Sequence, residues 1–260
     1  MGPKKPTVHV VTIAINEPYT TTQRLLNDSI ERHTSYPIVK HAYSRADMER
    51  SPWFSIIRDF PTFPTHLGKR DGYYCCYKQL VAADVYFNMA DGDVVYYVDS
   101  SQHFRNGFTE NLDKFFDLAV AAGGIHGSFG TDVMNKPGQC DMRACWDACG
   151  LGDQYDAHVG RPHVLASWFV MPKTPANTAV MQDYVDFTKV RLPSGEPVGI
   201  QHHVGDQALY NLVVVKHRLR SFHLDGVGHS DNKDRNLVCR VLNADPETDL
   251  PALERKYLAF

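Results

Sequence analysis

Asp91-Gly-Asp-Val-Val-Tyr-Tyr-Val-Asp-Ser-Ser-Gln102 is the stretch whose reading decides the fold. Asp91-Gly92 is a turn signal, and Val94 to Val98 is an unbroken run of β-branched and aromatic residues. A run of this kind suits a parallel strand buried on both faces; a half-exposed strand would alternate. It stops at Asp99. A carboxylate has no stable place inside an apolar sheet without a partner, so Asp99 is expected to emerge at the carboxyl end of the strand. Open α/β sheets bind their ligands at that end. A carboxylate there, followed by the small Ser100 and Ser101, suits a divalent cation bridging to a nucleotide diphosphate. The competing reading is a plain Asp-Ser turn closing a strand, and the flanking sequence has to separate the two.

Upstream, Val8 to Ile15 reads as a first buried strand ending at Asn16-Glu-Pro18, and Thr20 to His33 as an amphipathic helix with Leu25, Leu26 and Ile30 on one side. Tyr36 to Tyr43 is a second strand, and Ser51 to Leu67, rich in Pro and aromatics, a loop with short helical turns. Asp71 to Met89 has helical spacing at Tyr73, Tyr77, Leu80, Val81 and Val85 and leads into the strand ending at Asp99. Downstream, helices are expected over Phe104 to Ala121, Thr178 to Lys189 and Gly205 to Arg218, and a strand over Val164 to Val170. Ala122 to Ala157 reads as a Gly-rich irregular excursion, and the tail from Asp245 as short helix and coil. Alternating β and α without repeats predicts one mixed α/β domain over the whole chain. Its nucleotide-binding part would span about 7–101 and its acceptor or sugar part about 102–240.

The chain has 260 residues, 43% hydrophobic and 22% charged, with a formal net charge of −3. That is an ordinary globular composition, and the acidic balance argues against a broad nucleic-acid surface. No apolar stretch approaches the roughly 18 residues that span a bilayer, so no transmembrane segment is expected. Met1 to Pro6 passes directly into a strand with no secretory apolar region, and Pro6 stands where a myristoylation signal wants Ser or Thr. A cytoplasmic location is the expectation, with reduced cysteines and an unused sequon at Asn27-Asp-Ser29. Cys140, Cys145 and Cys149 lie close together, but their spacing is not the paired pattern of a zinc site.

Three segments carry candidate chemistry. The first holds Lys69, Arg70, Asp71 and Lys78 just before the key strand. Lys78 would present its ammonium to a diphosphate or sugar, and Asp71 would serve as general base for an acceptor hydroxyl. A solvated charged helix face is the alternative. The second, His202-His-Val-Gly-Asp-Gln-Ala-Leu-Tyr-Asn211, has a Gly-Asp-Gln step that looks like a helix start with Asp206 near the N-cap. Either Asp206 and Gln207 grip sugar hydroxyls from the loop edge, or Asp206 is a cap and Gln207 is exposed. Asp206 is also the competing base. The third, Phe222-His-Leu-Asp-Gly-Val-Gly-His229, could wrap a phosphate and complete a metal shell.

These segments occur in the order used by glycosyltransferases of the GT-A fold, which the chain resembles over most of its length. Asp71 to Ser101 resembles the glycogenin and bacterial galactosyltransferase pattern, in which a helix with Tyr-Tyr and a basic residue precedes a hydrophobic strand ending in Asp-x-Asp. Gly72-Tyr-Tyr-Cys-Cys-Tyr-Lys78 is similar to a related Gly-Tyr-Trp-x-Trp-Lys-Pro helix start. Asp206, Gln207 and Asn211 resemble an Asp-Gln-x-x-x-Asn element, and His223 with Gly226 a C-terminal His-x-x-Gly. The chain departs at Ser101, where the second acidic ligand would be, and at His229, where a Lys usually follows. It also resembles the glycosyltransferases that large algal viruses encode for capsid glycans, among them a β-xylosyltransferase; for a viral protein the location would be the host cytoplasm.

The resemblance implies an α/β GT-A (Rossmann-like) fold with a mixed, mainly parallel central sheet flanked by helices. It implies transfer of a sugar from a nucleotide-diphosphate donor, UDP-xylose being one, to a glycan hydroxyl. Mn²⁺ or Mg²⁺ would be held by Asp99, Ser101 and His223. The donor would meet Thr12, Ala14, Asn16, Tyr43, Arg45, Lys78, Asp99, Ser100, Ser101, Gln207, Gly226 and His229, with Asp71 or Asp206 as the base of an inverting displacement. A sugar nucleotidyltransferase would want a Gly-rich phosphate loop after the first strand, and Ala14-Ile-Asn-Glu-Pro18 has no glycine. A glycan-binding module with a dead donor site is the non-enzymatic alternative, supported by Ser101.

Overall fold

Strand β3, Val94–Val98, is buried at every position and sits at the centre of a five-stranded sheet. The computed structural model describes residues 5–15, 19–31, 34–58, 77–100, 109–127, 143–158, 164, 166–195, 197–198 and 205–219. The other strands are β1 (Val8–Ala14), β2 (Ile38–Ser44), β4 (Ile125–His126) and β5 (Trp168–Pro172), in the order β2-β1-β3-β5-β4. β1 runs parallel to both β2 and β3; β5 is antiparallel to β3 and to β4. Four strands therefore point one way and β5 the other, the mixed, mainly parallel α/β sheet expected from the sequence.

Helices cover both faces, and the two-residue period of a strand sorts the core between them. Val94, Tyr96 and Val98 pack with Leu26 and Ile30 of α1 (Tyr19–Ile30) and with Leu112, Phe115 and Phe116 of α5 (Thr109–Ala122). Val95 and Tyr97 face the opposite way. They pack with α4 (Tyr77–Asn88), α8 (Pro175–Lys189) and α9 (Gly205–His217) through Leu80, Tyr86, Tyr184 and Tyr210. Asp99 continues the odd-numbered series, so its side chain falls on the α4, α8 and α9 side. Capping follows local sequence. Thr174 accepts from Asn177 N at the start of α8, with Pro175 at its first position. Lys173 closes the far end of α4 by donating to Phe87 O and Met89 O.

Two expectations need correction, one helix is new, and the alternative of an exposed Gln207 falls. The 122–157 excursion contains β4, α6 (Arg143–Ala148) and α7 (Tyr155–His158). β4 is two residues long, too short for any periodicity to show. The strand expected over Val164 to Val170 is Trp168–Pro172, because its register is set by β3, Val94 opposite Pro172 and Val98 opposite Trp168. Helix α2 (Arg45–Arg50) was not anticipated. It starts at Ser44, which exchanges hydrogen bonds with Asp47 as a capping box. Gln207 is buried, not exposed. α3 (Phe54–Ile57) is one of the short turns expected after Ser51.

Asn27 is buried and its Nδ2 lies 3.4 Å from Thr12 Oγ1, so the folded chain does not offer it for glycosylation. Cys145 and Cys149 are free thiols, and burial pushes Cys149 up to about 12. Cys140 and the tail from Asp245 lie outside the described residues. Among those residues, no helix is long and apolar enough to cross a membrane.

Candidate functional site

The chain leaves β1 through α1 to pair β2 on one side, then returns across β1 to place β3 on the other. Between β1 and β3 the winding direction reverses, and such switch points open a crevice at the carboxyl ends of the strands. The pairing shows that opening. β1 stays paired with β2 as far as Ala14 and Ser44, while its register with β3 ends at Val11 and Tyr97. Asp99 lies two residues past that last pair, and its N–H is tied to Ser167 O at 2.8 Å.

Three charged side chains converge at this edge. Lys78 Nζ on α4 is 3.1 Å from Asp99 Oδ1 and 3.2 Å from Asp99 Oδ2, and 3.0 Å from Asp206 Oδ2 on α9. Tyr97 donates its hydroxyl to Asp99 Oδ1 at 2.8 Å. The side chains are 17%, 22% and 8% exposed for Lys78, Asp99 and Asp206. Lys78 is therefore a partly buried bridge between two carboxylates, not part of a solvated helix face. Burial raises the Asp99 carboxyl above its ordinary range, the Lys78 ammonium pulls it back, and the Asp206 charge adds to the rise. Burial also drives the Tyr97 hydroxyl far above its ordinary value, so it remains a donor to Asp99.

α9 is held by Asn211. Its Oδ1 accepts from Val164 N at 2.8 Å, and its Nδ2 donates to Val164 O and Gln207 O. This ties the first turns of α9 to the segment that enters β5, next to Ser167, and so fixes Asp206 relative to Asp99. Asp206 is the second residue of α9. Its carboxylate lies in the positive first turn but is engaged by Lys78.

Of the residues expected from sequence, the structure brings Lys78, Asp99 and Asp206 together, with Gln207 beside them and Ser100 buried after Asp99. Thr12 and Ala14 are buried at the end of β1. Thr12 follows the even-numbered series of β1 on the α1 side, away from the Lys78 cluster. Tyr43 at the end of β2 gives its hydroxyl to Asp84, which also accepts from Trp53 Nε1. Arg45 pairs with Glu49. Asn16, Asp71, Ser101, His223, Gly226 and His229 lie outside the described residues. Sequence reasoning missed Tyr97 and Gln79. Tyr97 looked like core, and the signal at Gln79 was an amide directly before the apolar run Leu80 to Ala83.

Among the described residues no group of three or more His, Cys, Asp or Glu is arranged to hold a metal ion. The two carboxylates are nevertheless hard oxygen donors, and with one ammonium they carry a net charge of −1. That chemistry suits Mg²⁺ or Mn²⁺, provided Lys78 gives up Asp99 to the incoming ion.

No protein-family model matches the chain, and no curated protein matches it. Among solved structures, the apo form of mouse xyloside xylosyltransferase 1 aligns with a TM-score of 0.44 at 11% identity, covering 85% of each chain.

Proposed function

We propose that this chain is a glycosyltransferase that moves a sugar from a nucleotide-diphosphate donor, with UDP-xylose the first to test, to a hydroxyl of a glycan. The observation that carries the reading is the Lys78 bridge between Asp99 and Asp206 at the β1/β3 switch point. A bare diphosphate approaching this net-negative cluster would be repelled, so the donor arrives with a cation. Asp99, with Ser101 and His223 from the expected ligand set, would hold Mn²⁺ or Mg²⁺. Such an ion supplies Lewis-acid neutralisation of the leaving diphosphate.

The chain's own residues do the rest. Lys78, released from Asp99, turns its ammonium to the diphosphate as a point charge. Asp206, in the first turn of α9, accepts from a sugar hydroxyl. Asp71 takes the proton of the acceptor hydroxyl, on the side of the sugar opposite the leaving group, which gives inversion.

The experiment is calorimetry of UDP, UDP-xylose, UDP-glucose and UDP-galactose with and without Mn²⁺, followed by mass spectrometry for released UDP in the presence of glycan acceptors. Binding that needs Mn²⁺ and is weakened in Asp99→Asn, with UDP released, is the expected result. Absence of any nucleotide-sugar binding refutes the proposal. Binding of glycan alone, with no donor affinity, would make the chain a lectin-like module.

A further inference from the structure

Asp99 is held by contacts of two kinds. Its N–H is tied to Ser167 O at 2.8 Å, which fixes the main chain and leaves the carboxylate to turn about its own side-chain bonds. Lys78 meets both carboxylate oxygens, at 3.1 and 3.2 Å, from the end of a flexible four-carbon stem, and it is the group that withdraws in the reading above. The other contact is Tyr97, whose hydroxyl donates to Oδ1 at 2.8 Å. The Tyr97 ring is fully buried and stacks on Phe169, with centroids 5.5 Å apart and planes 24° from parallel. Phe169 in turn packs on Tyr184 and Tyr210, at 5.9 and 6.0 Å. A tyrosine hydroxyl oxygen lies in the plane of its ring, so a ring locked in a close-packed stack puts that oxygen at a fixed point. The tyrosine is therefore the rigid partner, and the carboxylate is the one that is oriented. Packing alone would be met by Phe at 97. Tyr184 and Tyr210 keep their hydroxyls within the aromatic cluster, 3.4 and 3.5 Å from His126 Nδ1, whereas the Tyr97 hydroxyl leaves it for the carboxyl end of the sheet.

We infer that Tyr97 is a positioning residue for the cation: its hydroxyl holds the Asp99 carboxylate facing the point now filled by the Lys78 ammonium, so that this orientation survives when the ammonium leaves. Among the described residues, Tyr97 is the side chain that remains on Asp99 once Lys78 has gone. Tyr97 takes one lone pair of Oδ1 and leaves Oδ2 whole, on the side where Lys78 Nζ stands 3.0 Å from Asp206 Oδ2. It touches neither cation nor nucleotide and acts through Asp99. Ligating carboxylates depend on such outer partners, and losing one typically costs about 10–100-fold in metal affinity. This rests on the nucleotide-sugar reading above, with Asp99 as a cation ligand.

The test is calorimetry on the full chain, titrating UDP into wild type, Tyr97→Phe and Tyr86→Phe over a series of Mn²⁺ concentrations and in EDTA, with a thermal melt of each. Tyr86→Phe is the control for a lost buried hydroxyl. Tyr86 donates to Thr174 O at 3.2 Å, just past the Pro172–Val94 pair at the amino end of β3, away from Asp99. Both variants lose a hydrogen bond of a buried hydroxyl, so both melt below wild type. The Mn²⁺ concentration that half-restores UDP binding rises about tenfold or more in Tyr97→Phe and stays at the wild-type value in Tyr86→Phe. Saturating Mn²⁺ returns Tyr97→Phe to wild-type UDP affinity, and in EDTA the three proteins behave alike. An unchanged Mn²⁺ midpoint in Tyr97→Phe overturns the inference. A midpoint that rises equally in both variants also overturns it, by tracing the effect to a loosened core. So does a Tyr97→Phe chain that fails to fold, because the hydroxyl is then structural, or one that differs from wild type in EDTA, because Tyr97 then serves the nucleotide. A wild type whose UDP binding ignores Mn²⁺ refutes the cation reading before any variant is compared, and one that binds no UDP refutes the glycosyltransferase reading; the inference falls with either.

Discussion

Replacing Lys78 by Met keeps most of the aliphatic stem and removes the ammonium, which leaves Asp99 and Asp206 facing each other without their counter-ion. Nζ is 3.1 Å from Asp99 and 3.0 Å from Asp206, and the carboxylate side chains are only 22% and 8% exposed. At an effective dielectric of about 20, each contact is worth roughly 5 kcal/mol of Coulomb energy before desolvation is counted. Removing one partner of a buried pair typically costs about 3–5 kcal/mol. Asp99 keeps some solvent, so about 3 kcal/mol is expected at pH 8. The loss depends on pH with a definite sign. Burial already raises the Asp99 carboxyl and Lys78 opposes that rise; without Lys78 the carboxyl goes higher still. A folded carboxyl above its unfolded value of about 3.9 binds more protons in the folded state, so stability falls as pH climbs through the window above about 4. The deficit of Lys78→Met should be small near pH 4–5 and full at pH 8. Urea denaturation of both proteins at pH 5 and pH 8 measures it. A deficit under about 1 kcal/mol at pH 8, or one equal at both pH values, refutes a buried bridge.

Other outcomes follow from the same geometry. His126 is fully buried against Tyr184 and Tyr210, and burial holds its imidazole down at about 3. The unfolded chain takes that proton near pH 6.5, so wild-type stability should drop as pH falls from 6.5 towards 3, with about 1 kcal/mol gone by pH 5.5; His126→Phe should flatten the pH–stability curve in that window, and an unaltered slope would contradict it. Asn211→Ala strands the N–H and carbonyl of Val164, which the side-chain amide otherwise pairs. A loss of about 3 kcal/mol is expected from chemical denaturation, and a loss below about 1 kcal/mol would show that water replaces the amide. Asp71→Asn is expected to keep donor binding and lose turnover by about 10²–10⁴-fold, while Asp206→Asn weakens sugar binding; if turnover survives the first change and vanishes in the second, the roles are exchanged. A product that keeps the donor's anomeric configuration would end the single-displacement mechanism.

The run Val94 to Val98 was enough by itself to place β3 at the centre of a sheet and Asp99 at its carboxyl end, because hydrophobicity without alternation has few other uses in a strand of that length. The helical spacing of α4, α8 and α9 was equally legible, and Asp206 and Gln207 stood out at a helix start. What residue patterns could not contain was which helices share a face of the sheet. α4, α8 and α9 pack on the side to which Tyr97 and Asp99 point, and that alone turns Lys78 from a solvated charge into a bridge between Asp99 and Asp206. The same packing buries Gln79 and Gln207. In the one-dimensional pattern Gln79 follows Lys78 as a second polar residue at the start of α4, and only the approach of the α9 backbone gives its amide a neighbour. Local periodicity reports how a segment is buried; the partner it is buried against is a long-range property, decided by how the sheet is wound.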